Sequence, residues 1–183
     1  GLQIFQLIRF ATLFLIGIVF AKSGIETAVI GQYETFLFLA GAVSFFWLNG
    51  LIQGFLPLTE KTTARGKSPV FFNVFLLLTG FAMLTALSLA LFEIFITRHF
   101  AKSSEIPFFQ YLIVYLLFTS PASLVEYIYL VRKAGREMLV YGFASFALMF
   151  VLVVLPALSG FSMEYCIVGL VASSVFRFGW LMV

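Results

Sequence analysis

The chain has 183 residues, of which 62% are hydrophobic and 10% charged, with a formal charge of +3. Soluble domains carry about 25% charged residues, so a mean hydropathy of +1.11 excludes an ordinary soluble fold and points to a membrane. With no aspartate, one histidine (His99) and one cysteine (Cys166), the sequence also argues against an aspartate-held magnesium site, a histidine metal cluster and an internal disulfide.

A helix rises about 1.5 Å per residue, so roughly 20 apolar residues cross a hydrocarbon core of about 30 Å. That format recurs along the chain and predicts an all-α, polytopic helical bundle. Its six transmembrane helices fall at about 2–21, 35–58, 70–96, 108–131, 138–158 and 165–183. The first contains Gln3, Gln6 and Arg9. A polar loop from Lys22 to Glu34 leads to the second, which contains Asn49 and Gln53 and stops at Pro57. The third has Asn73 near its start and Glu93 near its end. The fourth is broken by Ser120-Pro121, the fifth ends near Pro156, and the sixth contains Arg177. Residues 1–183 read as one six-helix unit. Because the chain opens on Gly1 and closes on Val183, both inside apolar segments, we expect a piece of a longer protein.

Lysine and arginine in short loops stay on the cytoplasmic side. The loops after the second and fourth spans hold Lys61, Arg65, Lys67, Arg132, Lys133 and Arg136, against Lys22, Arg98 and Lys102 on the other side. This places the N-terminus in the cytoplasm. Twenty-five phenylalanines suit a surface that faces lipid.

Polar residues inside the spans are the candidate site, since such groups are costly in hydrocarbon and default to functional hypotheses. Arg9, with Gln6 three residues before it, either snorkels to headgroups or faces a cavity and pairs with phosphate. Asn49 and Gln53, four residues apart, share a helical face. They either pack against another helix, helped by Gly50 and Gly54, or line a polar route. Glu126 and Arg177 lie at similar depth and read as an ion pair within the bundle or as a substrate or ion site. Glu93 is expected to reach water at the outer end of its helix.

There is no phosphate-binding Gly-x-x-x-x-Gly-Lys-Ser/Thr loop, no His-Glu-x-x-His and no Gly-x-Ser-x-Gly. Catalytic residues, metal ligands and cofactors are therefore not expected, and binding and transport fit better than an enzyme. Nothing in the charge pattern suggests nucleic acid.

The stretch GIETAVIGQYETFLFLAGAVSFFWLNGLIQGFLPLTEK, with Gly31 and Tyr33 leading into a helix that closes on Gly50, Gly54 and Leu56-Pro57, resembles the first outer loop and second helix of bacterial oligosaccharide and polysaccharide flippases. The stretch EYIYLVRKAGREMLVYG, Glu126 to Gly142, resembles the basic turn between their fourth and fifth helices. These belong to the multidrug/oligosaccharidyl-lipid/polysaccharide exporter superfamily. The resemblance implies the N-terminal lobe of a two-lobe transporter in the bacterial cytoplasmic membrane. A missing C-terminal lobe of the same chain would be a parallel repeat. It implies a lipid-linked oligosaccharide as cargo, flipped by alternating access for surface polysaccharide synthesis, with the polyprenyl tail left in membrane lipid. Arg9 would then meet phosphate, with Asn49 and Gln53 along the route. Two other readings stay open: a cation-coupled multidrug exporter of the same superfamily, and a non-transporting scaffold subunit of a cell-envelope assembly.

Overall fold

A computed structural model describes residues 2–63, 70–96 and 106–182, without the side chains of Phe46, Leu56, 58–63 and 92–96. The expectations for Glu93 and for the charges of Lys61, Arg65, Lys67, Arg98, His99 and Lys102 therefore lie outside the described residues.

Apolar composition without a two-residue alternation favours helix, and every element described is one. In chain order they are α1 (Leu2–Lys22), α2 (Thr27–Thr63), α3 (Val70–Ile96), α4 (Phe109–Ala122), α5 (Leu124–Val131), α6 (Gly135–Leu158) and α7 (Met163–Leu181). The fold is an all-α helical bundle, and among the described residues six segments are long and apolar enough to cross a membrane. This is a multi-pass membrane protein. The fourth segment comprises both α4 and α5. Pro121 has no N–H to give to the preceding turn, and the helix breaks just after it, at Ser123. Ser123 keeps the break tight: its N–H bonds Thr119 O at 3.1 Å and its hydroxyl bonds Ser120 O at 2.6 Å.

The largest differences from the sequence reading are the two ends of α2, while α6 and α7 each start two or three residues early, at Gly135 and Met163. Residues 27–34, read there as loop, form the first two turns of α2. Val29, Ile30, Tyr33 and Phe36 continue one helical stripe onto the bundle, and Tyr33 meets Phe20 of α1 edge-on at 4.9 Å. Burying that stripe outweighs the helix-weakening Gly31. At its other end α2 runs through Pro57 to Thr63. At 37 residues it is about 55 Å long and overshoots a bilayer. Two reversals use glycine at positive φ, Gly24 (74°) between α1 and α2 and Gly160 (73°) between α6 and α7, while between α5 and α6 Lys133 takes positive φ (55°).

Across the bundle the packing order is α1, α6, α7, α4, α3, with α2 laid against α3 and α4. Lipid offers helices no hydrophobic drive to associate, so close backbone approach carries the packing. Gly169 of α7 sits so near the Leu152 carbonyl of α6 that a Cβ would overlap it, and a Cβ on Gly142 would lie 2.6 Å from the Phe5 ring of α1. Gly50 and Gly54, read as a close-approach pair, have nothing within 4 Å of the space a Cβ would take. The core runs through Phe5, Met138, Tyr141, Val153, Cys166, Ile167 and Leu170, all 5% exposed or less. The outward surface is apolar too: Phe10, Phe14, Phe72, Met83 and Leu91 are more than half exposed, as a lipid-facing surface requires.

Candidate functional site: a polar cavity between α1 and α2

Although a short turn joins them, α1 leans on α6 rather than on α2. The gap between α1 and α2 is a cavity of about 430 Å³, floored by α4, α5, α6 and α7. Helical periodicity decides which residues reach it. On α1 they are Gln6, Arg9 and Leu13, spaced by three and four. On α2 the stripe runs Leu37, Ala40 and Gly41, Ser44 and Phe45, Leu48 and Asn49, Ile52. The floor is Tyr115, Thr119 and Ser120 of α4, Ser123 at the break, Glu126 and Tyr127 of α5, Phe146 and Met149 of α6, and Leu170 and Arg177 of α7.

The cavity thus gathers Gln6, Arg9, Asn49, Glu126 and Arg177 from four helices. Gln53, also predicted from the sequence, is not brought there. It is solvent- or lipid-exposed one turn beyond Asn49, where α2 turns its inner side to α3 through the edge-on contact of Phe55 with Phe71.

The five residues fall into two groups. Glu126 and Arg177 form an ion pair, Nη2 to Oε1, of 2.9 Å, with side chains 6% and 12% exposed. Arg177 also donates through Nε to the Tyr141 hydroxyl at 3.1 Å, and its guanidinium lies 5.6 Å from the centre of the Phe146 ring. A guanidinium presents five N–H donors in a rigid fork, and here α5 and α6 clasp it on separate sides. Behind it Tyr141 packs on the rings of Phe5, Tyr129 and Trp180, and the Trp180 indole donates to the Tyr129 hydroxyl at 3.0 Å.

Arg9, Gln6 and Asn49 form the other group. Among the described residues none of the three has a hydrogen bond or ion pair, and Arg9 is exposed to the cavity. Glu126 is held by Arg177, and Arg9 lines the same cavity from α1. Hydroxyls continue the polar lining: Ser44 donates to Ala40 O at 2.7 Å, while the buried Thr119 hydroxyl has no partner. Chemically, the described lining offers one uncommitted cation, two free amides, several hydroxyls and the faces of Tyr115, Tyr127 and Phe146. Anions, hydroxyl-bearing groups and flat rings or sugars are what such a lining holds.

Tyr141, Tyr115 and Thr119 were not predicted as site residues. The one signal pointing at Tyr141 was Arg177 itself, since a buried fork needs more acceptors than a single carboxylate supplies. Among the described residues no group of three or more histidine, cysteine or glutamate side chains is placed to hold a metal ion.

Compared with protein-family models, with curated proteins and with solved structures, the chain matches none.

Proposed function

We propose that this bundle is one lobe of a transporter that flips a lipid-linked, phosphate-bearing oligosaccharide across the bacterial cytoplasmic membrane by alternating access. A second lobe faces the open side of the cavity. The observation that carries the reading is the uncommitted Arg9 beside free amides in a cavity within a membrane-spanning bundle. A cation exposed to a polar cavity and without a counter-ion there attracts an anion, and an anionic cargo supplies one. Amides and hydroxyls suit sugar hydroxyls, and ring faces suit sugar rings, while the polyprenyl tail stays in lipid. The exposed basic turn Arg132, Lys133, Arg136 supports a cytoplasmic orientation for its end of the bundle and for the start of α1.

A scaffold subunit would bury Gln6, Arg9 and Asn49 against other helices. Within this chain they face a cavity instead. A cation-coupled exporter needs a cavity acid free to take a cation. Glu126 is the acid in the described lining, and Arg177 already holds it.

The test is complementation with the full-length gene in a bacterium lacking its own oligosaccharide flippase. Export of surface polysaccharide is scored alongside membrane expression. Wild type restores export, and Arg9→Ala and Asn49→Ala, present at normal level, lower it at least tenfold. Full rescue by Arg9→Ala removes the cavity cation from the mechanism.

A further inference from the structure

The cavity holds two arginines and one carboxylate from three different helices. Glu126 is 5% exposed and sits on α5, in the first turn after the break at Ser123. Its Oε1 accepts from Arg177 at 2.9 Å. Arg177 is held on its other side by Tyr141 and lies over Phe146, so its guanidinium is fixed in place by neighbours on α5 and α6. The charged and titratable groups around Glu126 are Arg177 of α7, Arg9 of α1, Tyr127 of α5, Tyr141 of α6 and Tyr115 of α4. The nearby lining of α2 adds the uncharged Asn49.

Charge in a narrow cavity with apolar, low-dielectric walls is felt more strongly than at an open surface, because the walls focus its field. The balance of the lining therefore decides which anions enter. Arg177 and Glu126 cancel, and Arg9 alone remains. We infer that Glu126 is the specificity-determining residue of this cavity: by occupying Arg177 it limits the lobe to one uncompensated positive charge and so to one negative charge on the group bound there. This rests on the reading of the cavity as an anion site. A single phosphodiester fits the lobe alone. The further charge of a diphosphate diester is left to groups facing the cavity from outside this bundle. When the cavity is empty the same carboxylate serves as the counter-ion that makes a buried Arg177 tolerable.

The test compares two probes by calorimetric titration of the full-length protein in zwitterionic phosphatidylcholine nanodiscs, where lipid headgroups carry no net charge. Diethyl phosphate carries one negative charge and inorganic pyrophosphate carries several. Glu126→Gln keeps the shape and removes the charge. It is expected to raise the affinity for pyrophosphate relative to diethyl phosphate at least tenfold, with Glu137→Gln, outside the cavity lining, leaving the ratio unchanged. The double variant Glu126→Gln, Arg177→Gln returns the ratio to the wild-type value, because Arg9 is again the one cation. If Glu126→Gln does not yield folded protein, Asn49→Lys decides: it adds a second uncompensated positive charge to the lining with the Glu126–Arg177 pair intact, and the ratio rises at least tenfold. A ratio within twofold of wild type in Glu126→Gln, or in Asn49→Lys, overturns the inference. Arg9→Gln separates this from failure of the underlying reading. If it binds both probes as wild type does, the cavity is not an anion site at all.

Discussion

Two regions of the bundle use the same residue types to opposite ends. Where α7 meets α6, glycine serves contact: Gly169 lets the Leu152 carbonyl come within a distance no side chain permits. Between α1 and α2, glycine leaves space: Gly41 lines the cavity with nothing within 4 Å. Arginine divides in the same way. Arg177 is clasped by Glu126 and Tyr141, whereas Arg9 stands uncommitted. Residue type alone does not separate structure from function in a membrane bundle; the neighbours do. In lipid the close-packed region supplies stability through backbone approach and satisfied polar groups, and the open region is free to bind.

The two regions differ most at the arginines. Arg177→Gln strips a buried carboxylate of its partner, and losses of this kind run to about 3–5 kcal/mol. The folded fraction in a denaturant titration in detergent micelles should fall accordingly. Next comes Gly169→Ala, which forces α6 and α7 apart. Overpacking of this kind costs about 1–3 kcal/mol, read from the same titration. Trp180→Phe removes the indole bond to Tyr129 at the basic end of the bundle and should cost about 1 kcal/mol. The smallest effects belong to the open region. Arg9→Gln should shift stability by no more than about 0.5 kcal/mol while abolishing export. Gly41→Ala should leave stability unchanged or raise it by up to about 1 kcal/mol through helix propensity. If Gly41→Ala were as damaging as Gly169→Ala, the two regions would not differ in the way described.

Much of the architecture was legible because a bilayer imposes length and polarity on any helix that crosses it. The span 70–96 matches α3 end to end, and Ser120-Pro121 flagged the break that ends α4. The pairing of Glu126 with Arg177 followed from depth: two ionisable groups at one level of an apolar bundle need each other. The start of α2 was hidden because Gln32 and Glu34 make its first turns look like loop, while the stripe through Tyr33 and Phe36 decides the outcome. The parting of Asn49 from Gln53 depends on where α2 turns from the cavity to α3, which is tertiary information. Tyr141 and Tyr115 were masked by abundance: in a chain that is 19% aromatic, no single tyrosine stands out.

Thiol accessibility in intact membranes tests whether the gap between α1 and α2 is a wet, polar cavity and not lipid-filled or closed. In a Cys166→Ala background, which removes a fully buried thiol, cysteines are placed singly by Asn49→Cys, Ser44→Cys and Phe38→Cys. Asn49 and Ser44 line the cavity, while Phe38, 72% exposed, lies on the same helix outside it. A water-soluble, membrane-impermeant maleimide should label the first two rapidly and the third barely. If Asn49→Cys and Ser44→Cys prove as unreactive as Phe38→Cys, there is no aqueous cavity for a cargo to enter.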